Sequence, residues 1–207
     1  MAARGFVAVV GSRELPEAWA RQVAEVVGFF VTRGWGIGSG GARGADQFAL
    51  EAVVAAGAAA CARSVVFLTG ARSAAPWGAL GAFVPRGGRV VRGSGAGRAA
   101  LLGRSRRLAQ ASAGVVAFLW GASRGSVFTV REAIRSGKPA AVVVAGGGVA
   151  LPSFAGGAWA PCSLGGVAAF RWVPEPNAPD VHGDDPEPKR TALHRIFVVA
   201  EASRSTR

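Results

Sequence analysis

Apolar residues fall along this chain in short unbroken runs, separated by stretches that repeat at the helical period. The run FVAVVG at 6–11 has no polar positions to alternate with, as expected of a strand buried on both faces. Residues 16–33 place Ala18, Val23, Val26, Val27 and Phe30 on one face behind Pro16, which predicts a helix with proline near its first turn. The same logic predicts a short strand over 34–41 that runs into a glycine-rich turn, then a helix over 42–57 closed by Gly57. A third strand follows at 64–69. Residues 70–97 read as irregular except for a short strand at 89–92, and a basic helix spans 98–112. A strand at 114–120, a helix at 126–137 and a strand at 139–146 complete the alternation. Such alternation predicts an α/β fold: a mostly parallel sheet covered by helices on both faces, in three layers, with ligands bound beyond the carboxyl ends of the strands.

From Gly147 the pattern dissolves. Three segments are therefore expected: 1–146 as the α/β unit, 147–173 as an irregular extension with an edge strand at 167–173, and 174–207 as linker and tail. Residues 174–190 carry five prolines and five acids, a linker composition, and 191–202 reads either as a short amphipathic helix or as unstructured chain. No internal repeat is visible.

Composition narrows the function classes. No apolar stretch reaches the roughly 18 residues that a membrane span needs, and MAARG runs straight into a strand, so no membrane association and a cytoplasmic protein are expected. Cys61 and Cys162 have neither metal-ligand nor disulfide-framework spacing, and the two histidines lie in the polar tail; no metal and no cofactor are expected. Cys61 reads as a buried thiol. The formal net charge is +12, and residues 86–107 hold seven arginines and no acid. Coding bias explains arginine over lysine, since only Lys138 and Lys189 are lysines, but not the scarcity of acids. Such a field favours polyanions: nucleic acid, nucleotides or an acidic partner.

Three strand-to-helix loops open on one edge of the expected sheet. Gly11, Ser12 and Arg13 end the first strand. The second ends in GSGGARGAD, where Ser39, Gly40 and Gly41 offer backbone N–H groups, Arg43 a forked donor, and Asp46 a cap, a partner for Arg43 or a ligand contact. Gly121, Ser123, Gly125, Ser126 and Thr129 form the third, and Trp120 just before it is a candidate for stacking on a base or a member of the core. Each loop alone is equally an ordinary turn or cap. Together, with Arg104, Arg106 and Arg107 on the basic helix, they favour an anion site.

The motifs GSR at 11–13, GGARGAD at 40–46, RSRR at 104–107, the GSxxT of Gly125, Ser126 and Thr129, and EAIRSGKP at 132–139 resemble the SLOG superfamily. That Rossmann-like group includes the DNA-processing protein DprA, YspA-type proteins and LOG-type phosphoribohydrolases, and the similarity covers roughly residues 5–146. DprA is similar in GSR, in the Arg-Gly-x-Asp turn, in the Arg-x-Arg of Arg104 and Arg106, and in GSxxT. The resemblance implies a Rossmann-like fold and a phosphate-binding module for single-stranded DNA, with Arg104, Arg106 and Arg107 extending the track. It equally allows a sensor of a nucleotide or ADP-ribose-like ligand, and homo-oligomers. A LOG-like nucleoside monophosphate hydrolase fits less well. Thr129 stands where that family carries its catalytic glutamate, and only Asp46 and Glu132 remain as substitutes, so no catalytic residue is assigned. The residues after 146 do not read as a winged helix, so roles that depend on DprA's flanking modules do not carry over.

Overall fold

A computed structural model describes residues 5–70, 77–146 and 148–175. Its eight strands are β1 (Phe6–Gly11), β2 (Gly36–Ser39), β3 (Val65–Leu68), β4 (Arg89–Arg92), β5 (Gly114–Trp120), β6 (Ala140–Gly146), β7 (Gly157–Leu164) and β8 (Val167–Pro174). They form one sheet in the order β4-β3-β2-β1-β5-β6-β8-β7, parallel from β4 to β6 and antiparallel from there on. The helices are α1 (Ala20–Val31), α2 (Ala45–Ala55), α3 (Ala58–Arg63), α4 (Trp77–Phe83), α5 (Gly97–Ala111) and α6 (Arg124–Arg135).

The expected α/β architecture holds, and its physical basis is visible in the burial. Residues 115–119 of β5 are completely inaccessible, as an apolar strand with helices on both faces must be. One core lies under α1 to α4 and includes Val9, Val26, Phe30, Leu50 and Phe83. The other lies under α5 and α6 and includes Val10, Leu108, Val115, Val130 and Val142. Successive strands step outwards from β1 towards β4, and then the chain crosses back to place β5 on the other side of β1. That reversal is a topological switch point, where adjacent loops part and leave a crevice beyond the strand ends.

Two stretches are more regular than their sequence predicts. Within 70–97, α4 and a 3-10 turn at Val84–Arg86 precede β4. Gly78 and Gly81 weaken the helical signal there, but Leu80 and Phe83, three residues apart, both enter the core and hold the helix by packing. The extension, expected to be irregular but for an edge strand at 167–173, proves to be a hairpin of β7 and β8 that joins the main sheet through β8, so that β7 and not 167–173 is the edge. Its two-residue turn is Gly165-Gly166, both at positive φ (64° and 92°), as a tight hairpin requires. Pro161 within β7 disguised the strand; it is tolerated because β7 is the sheet's edge. The stretch 191–202 lies outside the described residues.

Lys138, from GKP, ties the two helices of the second face together. Its ammonium donates to the carbonyls of Ala109 (3.2 Å), Gln110 and Ser112 (2.7 Å) at the carboxyl end of α5, where a cation also complements the helix dipole. Cys61 is fully buried and Cys162 half-buried, and both are free thiols.

Candidate functional site

A cleft of about 640 Å³ opens at the switch point, between the loops that follow β1 and β5 and beneath α5. Its depth depends on backbone packing. The Ser12 N–H donates to the Phe118 carbonyl (2.9 Å), binding the β1 loop to β5, and the Ala45 N–H donates to the Ser12 carbonyl (3.2 Å), binding it to α2. A Cβ on Gly11 would lie 2.5 Å from both the Ala45 Cβ and the Phe118 carbonyl oxygen. Gly44 is tighter: its φ of 69° and ψ of −127° belong to glycine alone, and a Cβ there would meet the Ser12 carbonyl oxygen at 2.3 Å. Gly11 and Gly44 therefore serve this close approach.

Of the residues expected at the site, Gly11, Ser12, Arg13, Asp46, Arg104, Trp120, Ser123, Gly125, Ser126 and Thr129 line the cleft. Ser39, Gly40, Gly41, Arg43, Arg106, Arg107 and Gly121 do not. The glycine-rich turn after β2 is largely satisfied from within. Ser39 Oγ accepts the Gly41 N–H (3.2 Å) and donates to the Asp46 carbonyl (3.2 Å), while the Asp46 carboxylate accepts the Ala42 N–H (3.2 Å). Arg43 is exposed beside this turn. Arg106 leans away to pair with the buried Glu132 (2.8 Å), which also faces Arg135 (3.8 Å). Glu132 is thus held outside the cleft. Arg107 lies against Gly93, just beyond β4.

The third loop keeps its helix start open. Ser123 takes a left-handed conformation (φ 30°), and its hydroxyl turns back to donate to the Trp120 carbonyl (2.7 Å) and accept the Trp120 N–H (3.0 Å), so it makes no side-chain cap on α6. Arg124, Gly125 and Ser126, the first residues of α6, line the cleft, so the positive end of the helix dipole lies at its wall. Thr129 Oγ1 donates to the Gly125 carbonyl (2.9 Å). Trp120 divides its ring between the core and the cleft wall.

Charge on the lining is unequal. Among the described residues, the lining sets Arg13, Arg98, Arg104, Arg124 and Arg131 against Glu14 and Asp46 alone. Arg104 reaches the floor, where Nη1 donates to the Gly40 carbonyl (2.5 Å) and Nε is buried with no hydrogen-bond partner among the described residues. Burial lowers its pKa, opposed by Asp46. Asp46 faces it across Gly40 without a direct ion pair. Burial raises the Asp46 pKa above the ordinary carboxylate value, a shift that Arg104 and the N–H groups of Ala42 and Gly11 only partly offset. The folded protein thus holds this proton more tightly than the unfolded chain. Stability contributed by the protonated form is lost as pH rises from the ordinary carboxylate range through the folded-state value. Asp46→Asn removes that slope, and we expect it to unfold at higher urea than the wild type at neutral pH, with the difference vanishing in acid.

Arg124, Arg131 and Phe128 were not singled out from the sequence. They share one face of α6, and their spacing of four and three residues was the signal available.

Residues 1–77 match the family model of DNA recombination-mediator protein A. Among solved structures, DNA processing protein A (DprA) from Streptococcus pneumoniae is similar over 66% of this chain and 49% of its own, at 24% identity and a TM-score of 0.54. DNA processing protein A from Helicobacter pylori, whose structure concerns its single-stranded DNA binding mode, is similar over 66% and 63%, at 18% identity and a TM-score of 0.51. At these identities the likeness is one of fold, and the chain spans about half to three-fifths of those proteins. No curated protein matches significantly. Among the described residues no helix is long and apolar enough to cross a membrane.

Proposed function

We propose that this chain, which carries a DprA-like module of Rossmann-like fold, binds single-stranded DNA through its phosphates at the carboxyl edge of the sheet. The observation that carries this reading is an arginine row that outruns the cleft. Arg92 and Arg107 stand at the β4 end, Arg98 and Arg104 over the middle, and Arg13, Arg124 and Arg131 by β1 and β5. Four strand steps of about 4.8 Å separate β4 from β5, roughly 19 Å, which is more than one nucleotide needs. The orphaned Nε–H of Arg104 marks where an acceptor oxygen is wanted. Of the residues outside the cleft, Arg43 adds charge at its rim, and Arg106 joins the track only by exchanging Glu132 for a phosphate. A cytoplasmic location, where such strands occur, belongs to the same reading.

A second reading has one observation in its favour. A concave cleft of about 640 Å³ has the size of a small-ligand site, which suits a nucleotide or ADP-ribose-like ligand. Anisotropy of a labelled oligonucleotide, with mononucleotide as competitor, separates the two. Engaging the five cleft arginines gives a log–log salt slope of about −3.5, so affinity falls on the order of a hundredfold between about 50 and 200 mM salt. Mononucleotide competes only at great excess. Salt-insensitive binding, or a mononucleotide that competes as well as the oligonucleotide, overturns the DNA reading.

A further inference from the structure

The DNA reading leaves an aromatic side chain in the cleft wall without a role. Phe128 lines the cleft, is only half-buried, and sits on α6 between Arg124 and Arg131, at positions i+4 and i+7 from the first. That spacing puts all three on one helix face, with the two arginines about 10 Å apart along the axis. The Arg131 guanidinium stands 5.5 Å from the Phe128 ring centre and that of Arg106 5.8 Å. Glu132 anchors Arg106 from behind at 2.8 Å, so one side of this cluster is fixed in place. Neither Arg124 nor Arg131 has an ion-pair partner among the described residues. A ring with one unpaired cation, Arg131, beside it and another, Arg124, one turn earlier on the helix matches the chemistry of a single strand, in which a flat base alternates with a charged phosphate. Trp120 is a poorer platform, because part of its ring is committed to the core and to Gly146.

We propose that Phe128 is a base-stacking platform and that Arg124 and Arg131 hold the phosphates on either side, so that the strand leaves the cleft across α6. This rests on the DNA reading and adds to it a contact with the bases. The contact is tolerant of sequence, because every base presents a π face.

The test uses two labelled oligonucleotides of equal length, one of thymidines and one of abasic sites, with the full chain as wild type, Phe128→Leu and Phe128→Trp. Leucine keeps the apolar volume and removes the ring, and thermal melting checks that the fold survives. We expect Phe128→Leu to bind the thymidine strand about tenfold more weakly. It should bind the abasic strand as the wild type does, and Phe128→Trp should restore the preference for bases. Equal loss on both strands, or no loss on thymidine, overturns the platform while leaving phosphate binding intact. Failure of the wild type to bind either strand overturns the DNA reading and the platform with it.

Discussion

Arg104→Ala is expected to weaken oligonucleotide binding by about a hundredfold, the largest loss from any single arginine in the cleft. The other cleft arginines, Arg13, Arg98, Arg124 and Arg131, are exposed, and a neighbour can replace much of what each contributes. Arg104 differs in two ways. Its guanidinium is held at the floor by the Gly40 carbonyl, with a buried Nε–H still lacking an acceptor, so it is already oriented for an incoming oxygen. It is also the principal positive neighbour of the buried Asp46. Removing it deletes a desolvated charge-assisted contact and leaves a carboxylate facing the phosphate. Together these cost about 2–4 kcal/mol, or one and a half to three powers of ten in affinity. The Asp46→Asn, Arg104→Ala double variant checks the second part by recovering some of the loss. If the double variant binds no better than Arg104→Ala, Asp46 plays no part in the repulsion. A loss under threefold for Arg104→Ala means that no phosphate reaches the floor.

Gly44→Ala is expected to have the largest effect on the fold, lowering unfolding stability by about 2–6 kcal/mol. Two mechanisms add. An alanine must leave or strain a backbone conformation that glycine alone adopts, at about 1–3 kcal/mol. Its Cβ would also press within 2.3 Å of the Ser12 carbonyl oxygen, and the backbone displacement that relieves such overpacking costs about 1–3 kcal/mol more. That displacement breaks the hydrogen bond from Ala45 to Ser12, which aligns the β1 loop with α2. Urea unfolding measures the loss. Oligonucleotide binding, assayed well below the unfolding midpoint, should fall with it, because Arg13 and Asp46 then no longer face one cleft. Gly57→Ala makes a fair control: its φ of 94° is equally strained, but its Cβ meets nothing within 4 Å, so only the conformational part should be seen.

The parallel core was legible because strands buried on both faces carry an unbroken apolar run, as at 114–120, while the helices between them keep one apolar face. The three loops were legible because a strand that ends in glycine and serine before a helix is chemically distinctive. Other features depend on distant partners. Arg106 and Arg104 are two residues apart on one helix, yet one pairs with Glu132, 26 residues further on, and the other reaches Gly40, 64 residues back. No local pattern separates them. Phe128 and Arg131 lay inside a helix recognised mainly by its apolar positions, so the face they present to the cleft depended on how α6 is rotated against β5 and α5. In α4 packing overrides two unfavourable glycines, and in β7 an edge position excuses a proline. Both are tertiary effects that a single-sequence reading sees only as contrary signals.

The turn after β2 spends its N–H groups inside the protein: that of Gly41 on Ser39, that of Ala42 on Asp46 and that of Ala45 on Ser12. On the DNA reading, the grip then comes chiefly from long arginine side chains rather than from a rigid cradle of backbone amides. A cradle holds one phosphate in one register. Apart from Arg104, which is held at the floor, the cleft guanidinium groups stand on exposed, flexible stems that can hand a phosphate to the next in line at little cost, and successive phosphates are chemically identical. A strand held this way is free to creep lengthwise through the groove without letting go, so such a protein can spread along DNA or be pushed along it by whatever follows.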